Sequence, residues 1–346
     1  MAISKSVITS IAVIIAAGAV AAIIFTIPET PQKQAVPAPK PSQGQVQSGK
    51  LRVSGYNPIV ESYALVVMAA NERGIWANNG IDPEFVATEG KTNVAADIKE
   101  QVSQGIKMGI NVPSEILLAR VNGAPVKIVA AFTGESFTKI YAKAEGPIQT
   151  AEDLDGKKIG VFNVPGAVQR QVQYVADRLG IKPEIVAAGD LVNQDLRLQQ
   201  GSIDAYVSSD PAALQLVESG KRRVVLKIAD GLPKPWVSFA IWATDDVIQQ
   251  NSELVKKFIK ATLLSVQYLK DNPNYAESLD KKLPGAHAEL ASETVSQIDW
   301  RPEGKGSGND LVAAMTNVWN YARDVGILPP STSVRAEDAV DTKFLQ

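Results

Sequence analysis

Residues 156–181 read "GKKIGVFNVPGAVQRQVQYVADRLGI": a glycine-led β-rich run, a polar turn containing proline, and a helical run. The same order occurs in "GKLRVSGYNP" and "AANERGI" within residues 49–75. A second pair, residues 104–123 and 200–220, matches in the same way. Any two β–turn–α units share some likeness, but two pairs in the same chain order favour two lobes built on one architecture.

Short β-rich runs alternate with helical runs from Leu51 onward, a pattern typical of parallel α/β sheets. The predicted strands are Leu51–Gly55, Glu84–Thr88, Lys107–Asn111, Val126–Phe132, Lys158–Phe162, Glu184–Ala188, Asp204–Ser208 and Arg223–Ile228. The predicted helices include Ser62–Asn78, Asn93–Gln104, Ser114–Asn122 and Ser252–Lys270. We therefore predict an α/β fold.

The two lobes are predicted to be joined by two crossing segments. The span 130–143 is long enough to leave the first lobe, and residues 237–244 would return the chain to it. This places residues 51–133 and 240–346 in lobe 1 and residues 134–239 in lobe 2. Two crossings between similar lobes make a hinge, with a cleft that the strand-end turns face.

Composition excludes several classes of function. The net charge is −2, so nucleic acid is not an expected partner. The chain has no cysteine and a single histidine, His287, so neither a thiolate site nor a Ser-His-Asp or multi-histidine metal site is expected. No phosphate-binding G-x-x-x-x-G-K-[ST] loop occurs. We predict no catalytic residue, no metal and no cofactor, and a protein that is not an enzyme.

The N-terminal residues predict a membrane segment. Residues 7–27 hold 21 consecutive uncharged residues, enough to cross a bilayer and long for a cleaved signal. Lys5 precedes them and favours an N-terminus on the inside. We predict residues 1–27 as an anchor, with a signal sequence as the alternative, and residues 28–50 as a Pro/Gln-rich linker. Residues 51–346 would then form a solute-binding domain outside the cytoplasm.

Three stretches carry a resemblance to a known family: residues 148–181, residues 196–220 and "NERGIWANNGID" at 71–82. Over about residues 51–275 the chain resembles extracytoplasmic solute-binding proteins of ABC importers, in the sulfonate, nitrate, taurine and thiamine-precursor branch. The resemblance implies a two-lobe type II periplasmic-binding-protein-like fold that closes on a solute. A transmembrane anchor with a proline-rich stalk is similar to an archaeal arrangement.

The resemblance also implies function and partners. The expected function is a membrane-tethered, monomeric receptor that captures a small organic solute. It would deliver the solute to an ABC permease dimer, with the ATPase subunit contacted only indirectly. One alternative is a sensory ectodomain that binds the same kind of solute. The other is a pyrimidine-metabolism enzyme on the same fold, which we expect to need a reactive cysteine or histidine in the cleft.

The strand-end rule and the resemblance nominate the same turns as cleft walls. The candidate ligand-binding residues are Tyr56, Asn57, Glu61, Asn111, Pro113, Ser114, Thr133, Glu135, Ser136, Asn163, Gly166, Ala167, Ser208, Ser209, Asp210, Trp236 and Ser238. Several have a purely structural alternative. Ser114 and Asp210 suit helix N-caps, and Tyr56 and Trp236 could fill core space rather than stack on a ligand.

The nominated charges bear on the ligand. Glu61, Glu135 and Asp210 are acidic, whereas the candidate cations Lys91, Lys139 and Arg170 could each be a solvated surface charge. Carboxylates without matching cations repel nitrate or bicarbonate. The site therefore favours an amine, an amidine-like heterocycle or a zwitterion, and the exact solute stays open.

Overall fold

The structure, a computed structural model, describes residues 50–56, 61–88, 94–209, 211–280, 282, 292 and 295–345. Residues 49–346 group into one compact unit. The predicted membrane segment at 7–27 lies outside the described residues, as does the predicted linker apart from Lys50. Within the described ranges, no helix has both the length and the apolar character needed to cross a bilayer.

Five strands form the first sheet, in the order β2-β1-β3-β10-β4. Strands β1, β2 and β3 run parallel, and β10 pairs antiparallel with both β3 and β4. The antiparallel strand is thus inserted one place in from the edge of the sheet. The strands are β1 Leu51–Tyr56, β2 Pro83–Thr88, β3 Met108–Asn111, β4 Val126–Ala131 and β10 Ala240–Thr244.

The second sheet repeats this topology, with the order β7-β6-β8-β5-β9. Strand β6 pairs parallel with β7 and β8, and β5 is the inserted antiparallel strand. The identical strand order is the outcome that the internal repeat predicts. The strands are β5 Lys139–Lys143, β6 Lys158–Val161, β7 Glu184–Ala187, β8 Ala205–Ser208 and β9 Arg222–Lys227.

Helices cover the sheets, and their apolar stripes make the core. In the long helix α10 the buried positions include Val255, Phe258, Ile259 and Val266, a spacing that places them on one face. Phe258 stacks on Trp76 with ring centroids 5.7 Å apart. The described helices are α1 Glu61–Glu72, α2 Ile75–Asn78, α3 Val94–Ser103, α4 Pro113–Val121, α5 Ala167–Leu179, α6 Leu191–Gln199, α7 Pro211–Glu218, α8 Ile228–Gly231, α9 Asp245–Gln250, α10 Ser252–Asp271, α11 Tyr275–Asp280 and α12 Leu311–Asp324.

The crossing region contains a third segment that the sequence did not predict. The chain passes between the sheets at residues 132–138 and again at 232–239, and residues 299–307 bond to both crossings. The Gly134 N–H donates to the Asp299 carbonyl at 2.8 Å. On the second crossing, the Trp236 N–H donates to Ser307 Oγ at 2.5 Å. The C-terminal region therefore ties the two crossings together.

Candidate functional site

The strand ends gather the predicted residues at one edge of each sheet. In the first sheet, Ala240 lies opposite Asn111 on β3 and Ala131 on β4, so the start of β10 meets the carboxyl ends of its neighbours. In the second sheet, Lys139 at the start of β5 lies opposite Ser208 at the end of β8. Ligands of open α/β sheets bind at such carboxyl ends. These two edges are therefore the walls of the candidate site.

Asn111 presents an amide donor at the first edge. Its side chain is fully buried, and its Oδ1 accepts a hydrogen bond from Trp242 Nε1 at 2.8 Å. An indole nitrogen can only donate, so this bond fixes which way the Asn111 amide is turned. Asn111 Nδ2 has no hydrogen-bond partner among the described residues. A buried donor of this kind is costly unless something accepts from it, which makes it a candidate ligand contact.

Pro113 and Ser114 follow Asn111 at the start of α4. Pro113 is the first helical residue, where its missing N–H costs nothing, and Val112 is the N-cap without a side-chain cap. Ser114 is buried inside the first turn. The capping alternative for Ser114 is therefore wrong, because the helix begins two residues earlier than an N-cap serine would require.

Thr133 and two other nominated residues lie in the crossing segments, where their hydroxyl groups hold backbone. Thr133 Oγ1 accepts from the Phe239 N–H at 2.8 Å, and Ser238 Oγ donates to the Gly134 carbonyl at 3.1 Å. Ser136 Oγ accepts from the Thr138 N–H at 3.4 Å. The contacts of Thr133 and Ser238 join the first crossing to the second, and that of Ser136 holds the first crossing itself, so all three side chains have a structural use.

Glu135 carries the carboxylate of the first crossing, and it has a cationic partner. Its Oε1 lies 2.8 Å from Lys234 Nζ on the second crossing. The hydrogen bond to Glu135 raises the pKa of Lys234. Both side chains are substantially exposed, so the pair contributes little to stability. The charge of Glu135 is thus balanced by Lys234. Glu135 is therefore no longer one of the unpaired carboxylates that were expected to repel anionic ligands.

Trp236 belongs to the core. It is 3% exposed and packs edge-on against Tyr321 of α12, with ring centroids 5.2 Å apart. Of the two interpretations of Trp236, the structure supports the filling of core space, because the side chain is almost completely withdrawn from solvent. Its indole Nε1 has no partner among the described residues.

On the second wall, Asn163 folds back over the start of α5. Gly166 is the N-cap residue, and a Cβ built on it would lie 2.1 Å from Asn163 Oδ1. Gly166, a candidate ligand-binding residue, therefore makes room for the chain's own amide group. Ala167 begins α5, Ser208 is buried at the end of β8, and Ser209 is exposed beside it.

Four nominated residues lack a described side chain. Tyr56 ends β1 and Glu61 begins α1, but only their backbone placement is described. Asn57 and Asp210 lie outside the described residues. His287 lies outside them as well. Within the described ranges, no group of three or more His, Asp or Glu side chains is arranged to hold a metal ion.

Phe162 was missed by the sequence analysis. It directly follows β6 at the second wall and is 55% exposed, the largest side chain among the exposed apolar residues of the described ranges. Val164, 44% exposed, lies in the same turn. The available signal was an aromatic residue between a buried strand and the polar turn. An exposed aromatic ring at a strand end is suited to stack on a flat ligand.

Glu115 was also missed, although its neighbours Pro113 and Ser114 were nominated. Its Oε1 lies 3.5 Å from Arg170 on α5, so the pair links a helix of each sheet. The side chains are 10% and 25% exposed, respectively. The carboxylate also accepts from the Ala95 N–H, and Tyr321 is a further titratable neighbour. Arg170, considered above as a solvated charge, is instead the partner of a buried carboxylate.

This pair gives a pH-dependent expectation. Burial raises the pKa of Glu115 above 4.5, although Arg170 and the Ala95 N–H act in the opposite direction. A carboxyl whose folded pKa is raised stabilises the fold below its unfolded pKa, and that contribution is lost as pH rises through the folded pKa. Wild type should therefore lose stability relative to Glu115→Gln as pH rises from about 4.5. Thermal unfolding measures this difference. If the Tm values of wild type and Glu115→Gln differed by the same amount at every pH from 4 to 7, the expectation would be contradicted.

Comparison with known proteins identifies relatives of two kinds. The family model described as NMT1/THI5 like matches residues 61–276, well over half of the chain. A 4-amino-5-hydroxymethyl-2-methylpyrimidine phosphate synthase of Saccharomyces cerevisiae is 26% identical over 227 residues, covering 61% of this chain. The match spans 64% of that synthase, less than two thirds of its length. The riboflavin-binding protein RibY of Chloroflexus aurantiacus is 26% identical over 264 residues, 73% of this chain and 71% of RibY.

Solved structures agree on the fold. The periplasmic sulfonate-binding protein SsuA of Methylobacillus flagellatus superposes with a TM-score of 0.67 at 17% identity, covering 86% of this chain and 92% of that one. At this identity the likeness concerns the fold alone. The predicted α/β fold with two sheets, of the periplasmic-binding-protein type, is thereby confirmed.

The prediction that the chain is not an enzyme is wrong in the light of these relatives. Proteins of Saccharomyces cerevisiae and Candida albicans that are 26% identical to it are named as synthases. The prediction took the lack of cysteine and the single histidine as evidence against chemistry. The count of cysteine and histidine residues shows only which reactive side chains are present. It does not show which activities occur among the relatives.

Proposed function

We propose, since this chain belongs to the NMT1/THI5-like family, that its interlobe cleft binds a flat nitrogen heterocycle of the aminopyrimidine or flavin type. The names of the relatives point to this class. One makes an aminopyrimidine phosphate and another binds riboflavin, whose ring system includes a fused pyrimidine. The two ligands differ in size and substituents but share a planar, nitrogen-containing ring.

The observation that carries the proposal is the exposure of Phe162 at the second wall. Leaving a phenyl ring 55% exposed gives up apolar burial that closure over a planar ligand would recover. Stacking of a heterocyclic base on an aromatic ring is worth about 1–3 kcal/mol and requires only a flat π-face. A tetrahedral sulfonate group offers no such face, and a planar nitrate ion is far smaller than the ring it would cover.

Asn111 supplies the complementary polar contact. Its Nδ2 is buried at the first wall, and its orientation is fixed by Trp242. Ring nitrogens and ring carbonyl oxygens are acceptors for such a donor. One wall would thus stack on the heterocycle, and the other would donate a hydrogen bond to an acceptor on its ring. Both lobes would then contact the ligand only on closure.

The proposed role is that of a receptor for an ABC importer. The fold shared with SsuA supports capture by lobe closure. We further propose that residues 7–27 tether the domain to the membrane, with the domain outside the cytoplasm, and that a permease dimer takes the solute. The 21-residue uncharged run and the Pro/Gln-rich linker support this arrangement.

A second candidate function is synthesis of a pyrimidine. The relatives named as 4-amino-5-hydroxymethyl-2-methylpyrimidine phosphate synthases favour it. It uses the same cleft and the same class of ring, so Phe162 and Asn111 have the same contacts in both functions. The two functions differ in whether the heterocycle leaves the protein unchanged.

A ligand screen tests the proposed binding. The full-length chain in mild detergent is heated with 4-amino-5-hydroxymethyl-2-methylpyrimidine, riboflavin, taurine, methanesulfonate or nitrate. A ligand at about 100 times its Kd stabilises the folded state by about 2.7 kcal/mol, so one of the two heterocycles should raise the Tm in a saturable way. A shift with taurine or nitrate, and none with either heterocycle, would contradict the proposal.

Mass spectrometry of the bound material separates the two candidate functions. For a receptor, the heterocycle recovered from the protein has its original mass and a one-to-one stoichiometry. For a synthase, the pyrimidine recovered after incubation has a mass that differs from that of every heterocycle supplied. The same sample answers both questions, because either product can be released by heating and measured.

A further inference from the structure

Glu115 and Arg170 place a complete ion pair between the two walls. Arg170 lies in the first turn of α5 and Glu115 in the first turn of α4, with 3.5 Å between their charged atoms. Neither side chain is more than 25% exposed. A guanidinium that is largely withdrawn from water needs an anion beside it, and here the chain itself supplies that anion.

The surroundings of the pair would otherwise attract anions. Two helices begin at this point, and the first turn of a helix carries partial positive charge and free N–H groups. Arg170 adds a full charge with donors in a planar fork, which suits sulfonate, carboxylate and phosphate. The Glu115 carboxylate is the group that occupies the place of an external anion.

We infer that Glu115 is a specificity-determining residue, which keeps Arg170 occupied so that the cleft rejects small anions and accepts uncharged heterocycles. This inference rests on the proposed function for the identity of the accepted ligand. It explains why the fold of a sulfonate-binding protein can accompany a different ligand preference. Rejection by an internal like charge is a common way to obtain specificity.

The test is a gain of anion binding in the full-length chain. Glu115→Gln keeps the size of the side chain and removes its charge, which leaves Arg170 free to bind an added anion. Charge-assisted hydrogen bonds of this kind correspond to about 10- to 100-fold in affinity. By calorimetry, the variant should bind methanesulfonate at least tenfold more tightly than wild type does, and the binding should weaken with added chloride.

Two further variants test whether the gain in methanesulfonate affinity depends on Arg170. In Glu115→Gln with Arg170→Gln, methanesulfonate affinity should return to the wild-type level, because the cation has gone. Glu135→Gln is the matched control: it also removes a carboxylate that pairs with a cation, but Lys234 is exposed and the change should produce no gain. A gain of equal size in Glu135→Gln would overturn the inference, since it would then reflect net charge alone.

Glu115→Ser is a second variant that lacks the carboxylate charge, and its smaller side chain changes the packing in a different way from glutamine. A folded Gln or Ser variant with wild-type methanesulfonate affinity overturns the inference. Failure of both to fold also overturns it, because the pair would then hold the structure together rather than select ligands. Heterocycle binding by wild type is a separate measurement: its absence counts against the proposed function and leaves the anion gain to be judged independently.

Discussion

Replacement of Trp242 by alanine is expected to lower the free energy of unfolding by about 3–5 kcal/mol. Trp242 is fully buried on β10, which is hydrogen-bonded to strands on both sides. A Cβ added to Gly109 would lie 2.6 Å from the indole ring, so the sheet is built tightly around this side chain. Because paired strands cannot move in to fill the space, most of the cavity should remain.

Urea unfolding followed by circular dichroism measures this effect, with Leu264→Ala as the control. Leu264 is also a large apolar side chain, but it is 43% exposed, and its loss should change stability by less than about 0.5 kcal/mol. Equal midpoints for the two variants would show that Trp242 does not organise the sheet.

Trp242→Phe separates packing from amide orientation. Phenylalanine keeps a buried ring but cannot donate to Asn111 Oδ1, so the amide is free to turn. We therefore expect a smaller loss of stability than in the alanine variant, together with weaker binding of the heterocycle.

Replacement of Phe162 by alanine is expected to weaken heterocycle binding by about 1–3 kcal/mol, which is roughly 5- to 150-fold in Kd. The loss should appear in the complex alone. Because Phe162 is 55% exposed, its truncation removes little buried apolar area from the empty protein, and the Tm of that state should hardly change. Fluorescence or calorimetric titration with the heterocycle identified in the screen measures the change in Kd.

Phe162→Tyr and Val192→Ala are the matched controls. Tyrosine retains a flat ring and should keep most of the affinity. Val192 on α6 is 74% exposed, so its truncation removes surface apolar area without an aromatic face. If Val192→Ala weakened binding as much as Phe162→Ala, general surface hydrophobicity rather than stacking would explain the effect.

The strand-end rule located the turns at the carboxyl ends of both sheets, whereas the surroundings of each side chain did not follow from it. Residues 111–114 and 163–167 lie at the two walls, as the order of strands and helices requires. Within those turns, however, the residues with the most suitable geometry include Glu115 and Phe162, which were not nominated. Turn chemistry such as proline, glycine and serine is visible in a sequence, whereas the exposure of one ring depends on what packs beside it.

The crossing segments also show what the sequence could not reveal. Thr133, Ser136 and Ser238 are polar residues near a predicted cleft, and by type alone they resemble ligand contacts. Thr133 and Ser238 bond to backbone groups of the opposite crossing, whereas Ser136 bonds to backbone of its own crossing. Residues 299–307, far along the chain, complete the arrangement. A sequence does not reveal which distant backbone group a hydroxyl will meet.

The sequence by itself determined eight of the ten described strands, their alternation with helices and the duplicated architecture. Strand positions agree to within a residue or two because apolar periodicity and turn residues act through near neighbours. What only the tertiary structure decided is non-local. The antiparallel strands β5 and β10 were predicted as mere crossings, yet each pairs in the interior of a sheet. The burial of Trp236, the exposure of Phe162 and the meeting of Glu115 with Arg170 likewise depend on packing between distant segments, because burial and electrostatic energy depend on distance in space.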